Sequence, residues 1–89
     1  MREQVQTWLR EWFDSRGKIG KVPPENFLTT DYFAAGWLSS MEVVEFVTEI
    51  EREFGMQFSE QDLQDRRFVA ISGVTELILE RSRQLSENR

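Results

Sequence analysis

Apolar residues in the first part of the chain recur at a helical spacing. Val5, Trp8, Leu9, Trp12 and Phe13 fall at i, i+3, i+4, i+7 and i+8, the signature of a helix with one buried stripe. The pattern predicts a helix over residues 2–15, with both tryptophans in the core and Gly17 as its stop. Residues 17–38 then lose the period. Gly17, Gly20, Pro23 and Pro24 discourage a continuous helix. Phe27, Leu28, Tyr32 and Phe33 are nevertheless too apolar for a free linker, so this long connection is expected to pack on the domain. Asp31 is placed to open a helical turn over residues 32–35, and Lys18 and Lys21 read as solvated surface.

A second helix is expected over residues 40–54. At 100° per residue, Val43, Val47, Ile50 and Phe54 share one sector, with Phe46 at its edge, and Glu42, Glu45, Glu49 and Glu53 cluster roughly opposite. Met41 and Val44 belong to neither group. They lie on a flank beside Thr48, close to Ser40, and are expected to be partly exposed, as a small docking patch or, equally for Val44, as edge-of-core packing. Ser39 suits the N-cap, and Glu42 stands three residues on, where a capping box needs it. Ser40 then lies in the first turn, near unpaired N–H groups and the positive end of the helix dipole, where a phosphate ester is favoured.

Gly55 is expected to end this helix, after which Phe58 returns to the core. Ser59 can cap a short helix over residues 60–64, with Asp62 as a variant capping-box partner. A last helix carries Ile71, Val74, Leu77 and Ile78 on one side; Gly73 lowers its propensity slightly. Its periodicity fades beyond Arg83, which predicts a frayed tail. The expected fold is all-α: a small four-helix bundle of three longer helices and one short one. A long loop joins helices one and two, and residues 1–89 form a single domain.

Composition narrows the function classes. The 89 residues are 39% hydrophobic and 30% charged, as in a soluble globular domain, and the formal net charge is −5. That charge opposes general nucleic-acid binding, which needs cations to displace phosphate counterions, and suits basic partner surfaces. Histidine and cysteine are absent. The usual general bases, nucleophile–base pairs, zinc sites and disulfides are therefore missing. The carboxylates read as solvated, so the chain is expected not to be an enzyme. No apolar run approaches the roughly 18 residues of a membrane span. The first residues lead into an amphipathic helix and not a signal sequence. The expectation is a cytoplasmic monomer.

The stretch Gly36-Trp37-Leu38-Ser39-Ser40-Met41-Glu42-Val43-Val44-Glu45-Phe46-Val47 resembles the signature of the acyl carrier protein family. Glu51-Arg52-Glu53-Phe54-Gly55, Phe58, Asp62-Leu63 and Arg67-Phe68-Val69-Ala70-Ile71 follow in register. The resemblance runs from about Phe27 to Ile78. It implies a carrier with 4′-phosphopantetheine, taken from coenzyme A, attached to a serine as a phosphodiester. That group would hold an acyl or aminoacyl cargo as a thioester, in fatty-acid or specialised biosynthesis. Ser40 matches the modified serine, since counting back from Glu53-Phe54-Gly55 places it, and not Ser39, in register. Met41, Glu42, Val44, Glu45, Glu49 and Glu51 would form the partner-binding surface. The implied partners are a phosphopantetheinyl transferase and loading or transferring enzymes with basic docking surfaces. One departure stands out: Ser39 occupies the position where the family normally has aspartate. A cap is preserved and a charge is lost. The long connection and the altered tripeptide suggest a specialised, discrete carrier, and the other reading is a carrier-fold helical adaptor that is never modified.

Overall fold

The computed structural model describes residues 1–20 and 22–87. Helix α1 spans Arg2–Ser15, α2 Pro24–Phe27, α3 Glu42–Phe54, α4 Glu60–Gln64 and α5 Ile71–Glu87, with a 3-10 turn over Arg66–Val69 before α5. The fold is all-α, with three long helices. Among the described residues the only strand-like pairing is an isolated antiparallel bridge between Asp31 and Ala70.

Helix α1 buries Val5, Leu9, Trp12 and Phe13, as its period requires. Trp8 reaches only half-burial, lying edge-on to Phe54 with ring centroids 5.6 Å apart. The helix closes through Gly17 at φ 67°. The Gly17 and Lys18 amides donate back to the Asp14 and Phe13 carbonyls at 2.9 and 3.0 Å, which is the Schellman pattern. The connection holds a further short helix, α2, which the reading of the prolines as helix breakers leaves out. Pro24 sits in its first turn, where a missing N–H has no partner to lose.

Helix α3 turns a somewhat different face inward from the one its wheel suggests. Phe46 and Ile50 are fully buried, whereas Val43, Val47 and Phe54 are half-buried at the margin. The cause is the aromatic cluster that Phe46 enters. Its ring lies 5.0 Å from Trp12 and 5.4 Å from both Phe13 and Tyr32. Aromatic pairs at such separations add stabilisation beyond area burial, so the stripe centres on the phenylalanine rather than on the valines.

The connection contributes as much to the core as a helix does. Ile19, Phe27, Tyr32, Trp37 and Leu38 are buried, while Leu28 is exposed and Phe33 half-buried. Asp31 opens the expected turn: its Oδ1 accepts from the Phe33 and Ala34 amides at 3.0 and 2.9 Å. The segment is also stitched to the far end of the chain. The Tyr32 amide donates to the Val69 carbonyl at 3.0 Å, and the Ser72 amide to the Leu28 carbonyl at 2.9 Å.

Ser59 and Asp62 form the expected capping box at α4. Asp62 also receives a two-pronged guanidinium from Arg81 on α5, at 2.7 and 2.6 Å. Burial alone would raise the Asp62 carboxyl, but the hydrogen bonds from Arg81 and Ser59 outweigh it and leave it below the usual aspartate range. Val74, Leu77, Ile78 and Ile71 all face the core. Helix α5 continues past Arg83 to Glu87, farther than the fading period predicts; residues 88 and 89 lie outside the described residues.

Candidate functional site

The approach to the serine pair is held on both sides. Gly36 takes a positive φ of 77°, which reverses the chain and lets the next two amides, of Trp37 and Leu38, donate to the single Tyr32 carbonyl at 2.9 and 3.3 Å. Trp37 and Leu38 then drop into the core. The Trp37 ring lies 5.4 Å from Phe13 and 6.2 Å from Phe27. Two buried side chains thus anchor the backbone immediately before Ser39.

The two serines have different roles in the turn that follows. Ser39 Oγ accepts from the Glu42 amide at 3.3 Å, and Glu42 Oε1 accepts from the Ser39 amide at 3.0 Å. This is the reciprocal capping box. The Ser39 carbonyl accepts from the Glu42 and Val43 amides at 3.0 and 3.2 Å. Regular helix begins at Glu42, two residues later than the pattern predicts, although Met41 already has helical angles of φ −73° and ψ −33°. Ser40 is exposed, and no hydrogen bond within the described residues engages its hydroxyl. The Glu42 and Val43 amides are occupied by Ser39, which leaves the Ser40 and Met41 amides as the donors of the first turn with no partner among the described residues. The hydrogen bonds from Ser39, backbone first and hydroxyl second, hold the Glu42 carboxyl below its ordinary range. A negative charge therefore persists beside Ser39 even though that position carries none itself.

The flanking face divides into free and engaged groups. Met41 and Val44 are 87% and 70% exposed and lie three residues apart, on one side of α3. Glu45 and Glu49 are not free. Arg16, at the C-cap of α1, donates to Glu45 Oε1 at 2.8 Å and to Glu49 Oε2 at 3.2 Å. Trp12 Nε1 donates to the same Glu49 oxygen at 2.8 Å. Glu51 stands apart from this cluster: its Oε2 accepts from the Phe58 amide at 3.0 Å and ties α3 to the chain beyond Gly55. Of the six positions expected on the partner surface, the structure brings Met41, Glu42, Val44 and Glu45 beside the serine turn. Glu49 sits a turn farther along, and Glu51 is turned to structural work. Arg16 was not anticipated. Its only sequence signal was a cation at a helix C-terminus, where the dipole favours one; the pairing across to α3 is tertiary.

The sequence model of the phosphopantetheine attachment site matches residues 17–74, from the end of α1 into the first turn of α5. The chain belongs to this family. No curated protein and no solved structure matches the chain significantly. The protein is a phosphopantetheine-carrying carrier, and its cofactor is 4′-phosphopantetheine. Carrier domains of this family are generally non-catalytic and work with phosphopantetheinyl transferases and biosynthetic enzymes. The serine turn suits such a group: an exposed, unbonded hydroxyl with two unpaired amides at a helix start is a favourable place for a phosphodiester. When bound, the group supplies the thiol that a cysteine-free chain lacks. No helix among the described residues is long and apolar enough to cross a membrane.

Proposed function

We propose that Ser40 is the attachment residue and that the carrier holds an acyl or aminoacyl group as a thioester on its arm, presenting it to partner enzymes. The observation that carries this reading is the contrast between the two serines. The Ser39 hydroxyl is committed to the Glu42 amide, whereas the Ser40 hydroxyl is exposed and uncommitted. A transferase needs an accessible nucleophile, and withdrawing Ser39 for that purpose would uncap α3. Anchoring by Trp37 and Leu38 keeps the Ser40 backbone in one place, which lowers the ordering cost of docking. The free apolar pair Met41 and Val44 lies beside it as the first surface a partner meets. In this reading the chain performs no chemistry of its own; the reacting groups belong to the arm and to the partners.

Intact-mass measurement after incubation with coenzyme A, magnesium and a broad-specificity phosphopantetheinyl transferase tests this directly. The expected result is a gain of one phosphopantetheine that disappears in Ser40→Ala and persists in Ser39→Ala. A protein left bare by the transferase, and bare when isolated from its own cell, would point instead to an unmodified adaptor.

A further inference from the structure

We infer that Arg16 is a built-in counter-ion that sets which partners this carrier admits, a reading that rests on the docking role proposed for the face beside Ser40. The guanidinium is held on three sides. It lies over the Trp12 ring at 3.7 Å from the centroid. Its Nη2 donates to Glu45 and Glu49 at 2.8 and 3.2 Å, and its Nη1 to the Trp12 carbonyl at 3.3 Å. Trp12 in turn is fixed by its own bond to Glu49. A planar guanidinium stacked on an indole and shared by two carboxylates is far more ordered than an isolated surface ion pair.

The consequence is competitive. A partner arginine or lysine seeking Glu45 has to displace a cation that is already seated and tethered to the same chain. Tethered groups hold such sites at high effective concentration. The acidic notch between α1 and α3 is therefore already partly neutralised: the Glu45 side chain stays 56% exposed, but a partner that relies on basic side chains alone gains less there. What Arg16 leaves untouched beside Ser40 is the exposed apolar pair Met41 and Val44, with the Glu42 carboxylate tied to the Ser39 amide. Arg16 thus favours partners that present an apolar surface to Met41 and Val44, and it weakens the salt-sensitive attraction that the net charge would otherwise give.

The test uses a synthetic amphipathic helix with arginines at i and i+4 flanked by leucines, titrated into the isotope-labelled full chain at low salt and followed by amide and indole NMR signals. Arg16→Gln is expected to bind this peptide about three- to tenfold more tightly than the parent chain, with a steeper loss on adding salt. With Arg16 in place, Glu45→Gln is expected to change the affinity by less than about twofold, because that carboxylate is already occupied. Equal affinity of Arg16→Gln and the parent, including binding to neither, overturns the inference. So does a several-fold loss in Glu45→Gln, which would show that Glu45 is free; this arm holds even if Arg16→Gln folds poorly. Neither coenzyme A nor Ser40 enters the assay. A failure of modification at Ser40 and a failure of this competition are therefore read separately.

Discussion

Replacing Gly73 by alanine sets two physical effects against each other. Gly73 lies near the start of α5, where alanine improves helix propensity by about 1 kcal/mol. Propensity alone therefore predicts a more stable protein. Packing predicts the opposite. A Cβ at this position would stand 2.0 Å from the Arg67 carbonyl oxygen and 2.6 and 2.7 Å from that residue's carbonyl carbon and Cα. All three are backbone atoms, so no side-chain rotation relieves the clash. The 3-10 turn has to move away from α5 by more than an ångström. That turn carries Phe68, whose ring packs on Tyr32, Phe33, Phe46 and Phe58. It also supplies the Val69 carbonyl that accepts from Tyr32. Overpacking of this kind costs up to about 3 kcal/mol, leaving a net loss of up to about 2 kcal/mol once propensity is subtracted. For a domain of this size, that lowers the melting temperature by up to about 16 °C. Thermal unfolding followed by circular dichroism, with urea unfolding to confirm an unchanged m-value, checks the figure. A melting temperature equal to or above that of the parent would refute the argument.

Three further outcomes follow from the same structure. Asp62 has a carboxyl held below the usual aspartate value of about 3.9. The stability it contributes is present above that value and lost as pH falls through its lower folded value; urea unfolding should show a steep acid loss for the parent below about pH 4 and a shallower one for Asp62→Asn, which is also less stable at pH 7. Ser39→Ala should cost about 1 kcal/mol by removing the cap, while Ser39→Asp should leave stability within about 0.5 kcal/mol of the parent, both read by thermal unfolding. The Tyr32 hydroxyl is buried with no hydrogen-bond partner among the described residues, and burial raises its pKa strongly; Tyr32→Phe should therefore be neutral or stabilise by up to about 1 kcal/mol in urea unfolding, and a clear loss of stability would show that the hydroxyl has a partner.

Periodicity made the three long helices legible, and local chemistry made their ends legible. The Gly17 stop, the Gly55 stop and both capping boxes follow from residues within one turn of each other. The exposure of Met41 was equally readable, since it fits neither the core stripe nor the acidic one; for Val44 the wheel leaves edge-of-core packing equally open, and the structure exposes it. Tertiary effects were less accessible. Phe46 moves from the edge of the predicted face to the centre of the core because rings from α1 and from the connection meet it there. Arg16 joins Glu45 and Glu49 across two helices, and Glu51 turns to the Phe58 amide; nothing in their spacing announces either. Gly73 looked like a small defect in a helix because its neighbour, the Arg67 carbonyl, comes from a different element. The short α2 was hidden by reading Pro24 as a breaker when it stands at a helix start.

The bridge between the connection and the 3-10 turn also bears on the order in which the chain acquires its shape during synthesis. A ribosome delivers Leu28, Tyr32 and Ser40 well before Val69 and Ser72. Until those later residues emerge, the Tyr32 amide and the Leu28 carbonyl lack their partners, and Tyr32 is the residue whose carbonyl holds Trp37 and Leu38 in place. The capping box of the serine turn is local, but the anchoring of that turn on the domain depends on a long-range closure. A chain truncated before the start of α5 is therefore expected to present Ser40 on a less firmly anchored loop than the full chain does.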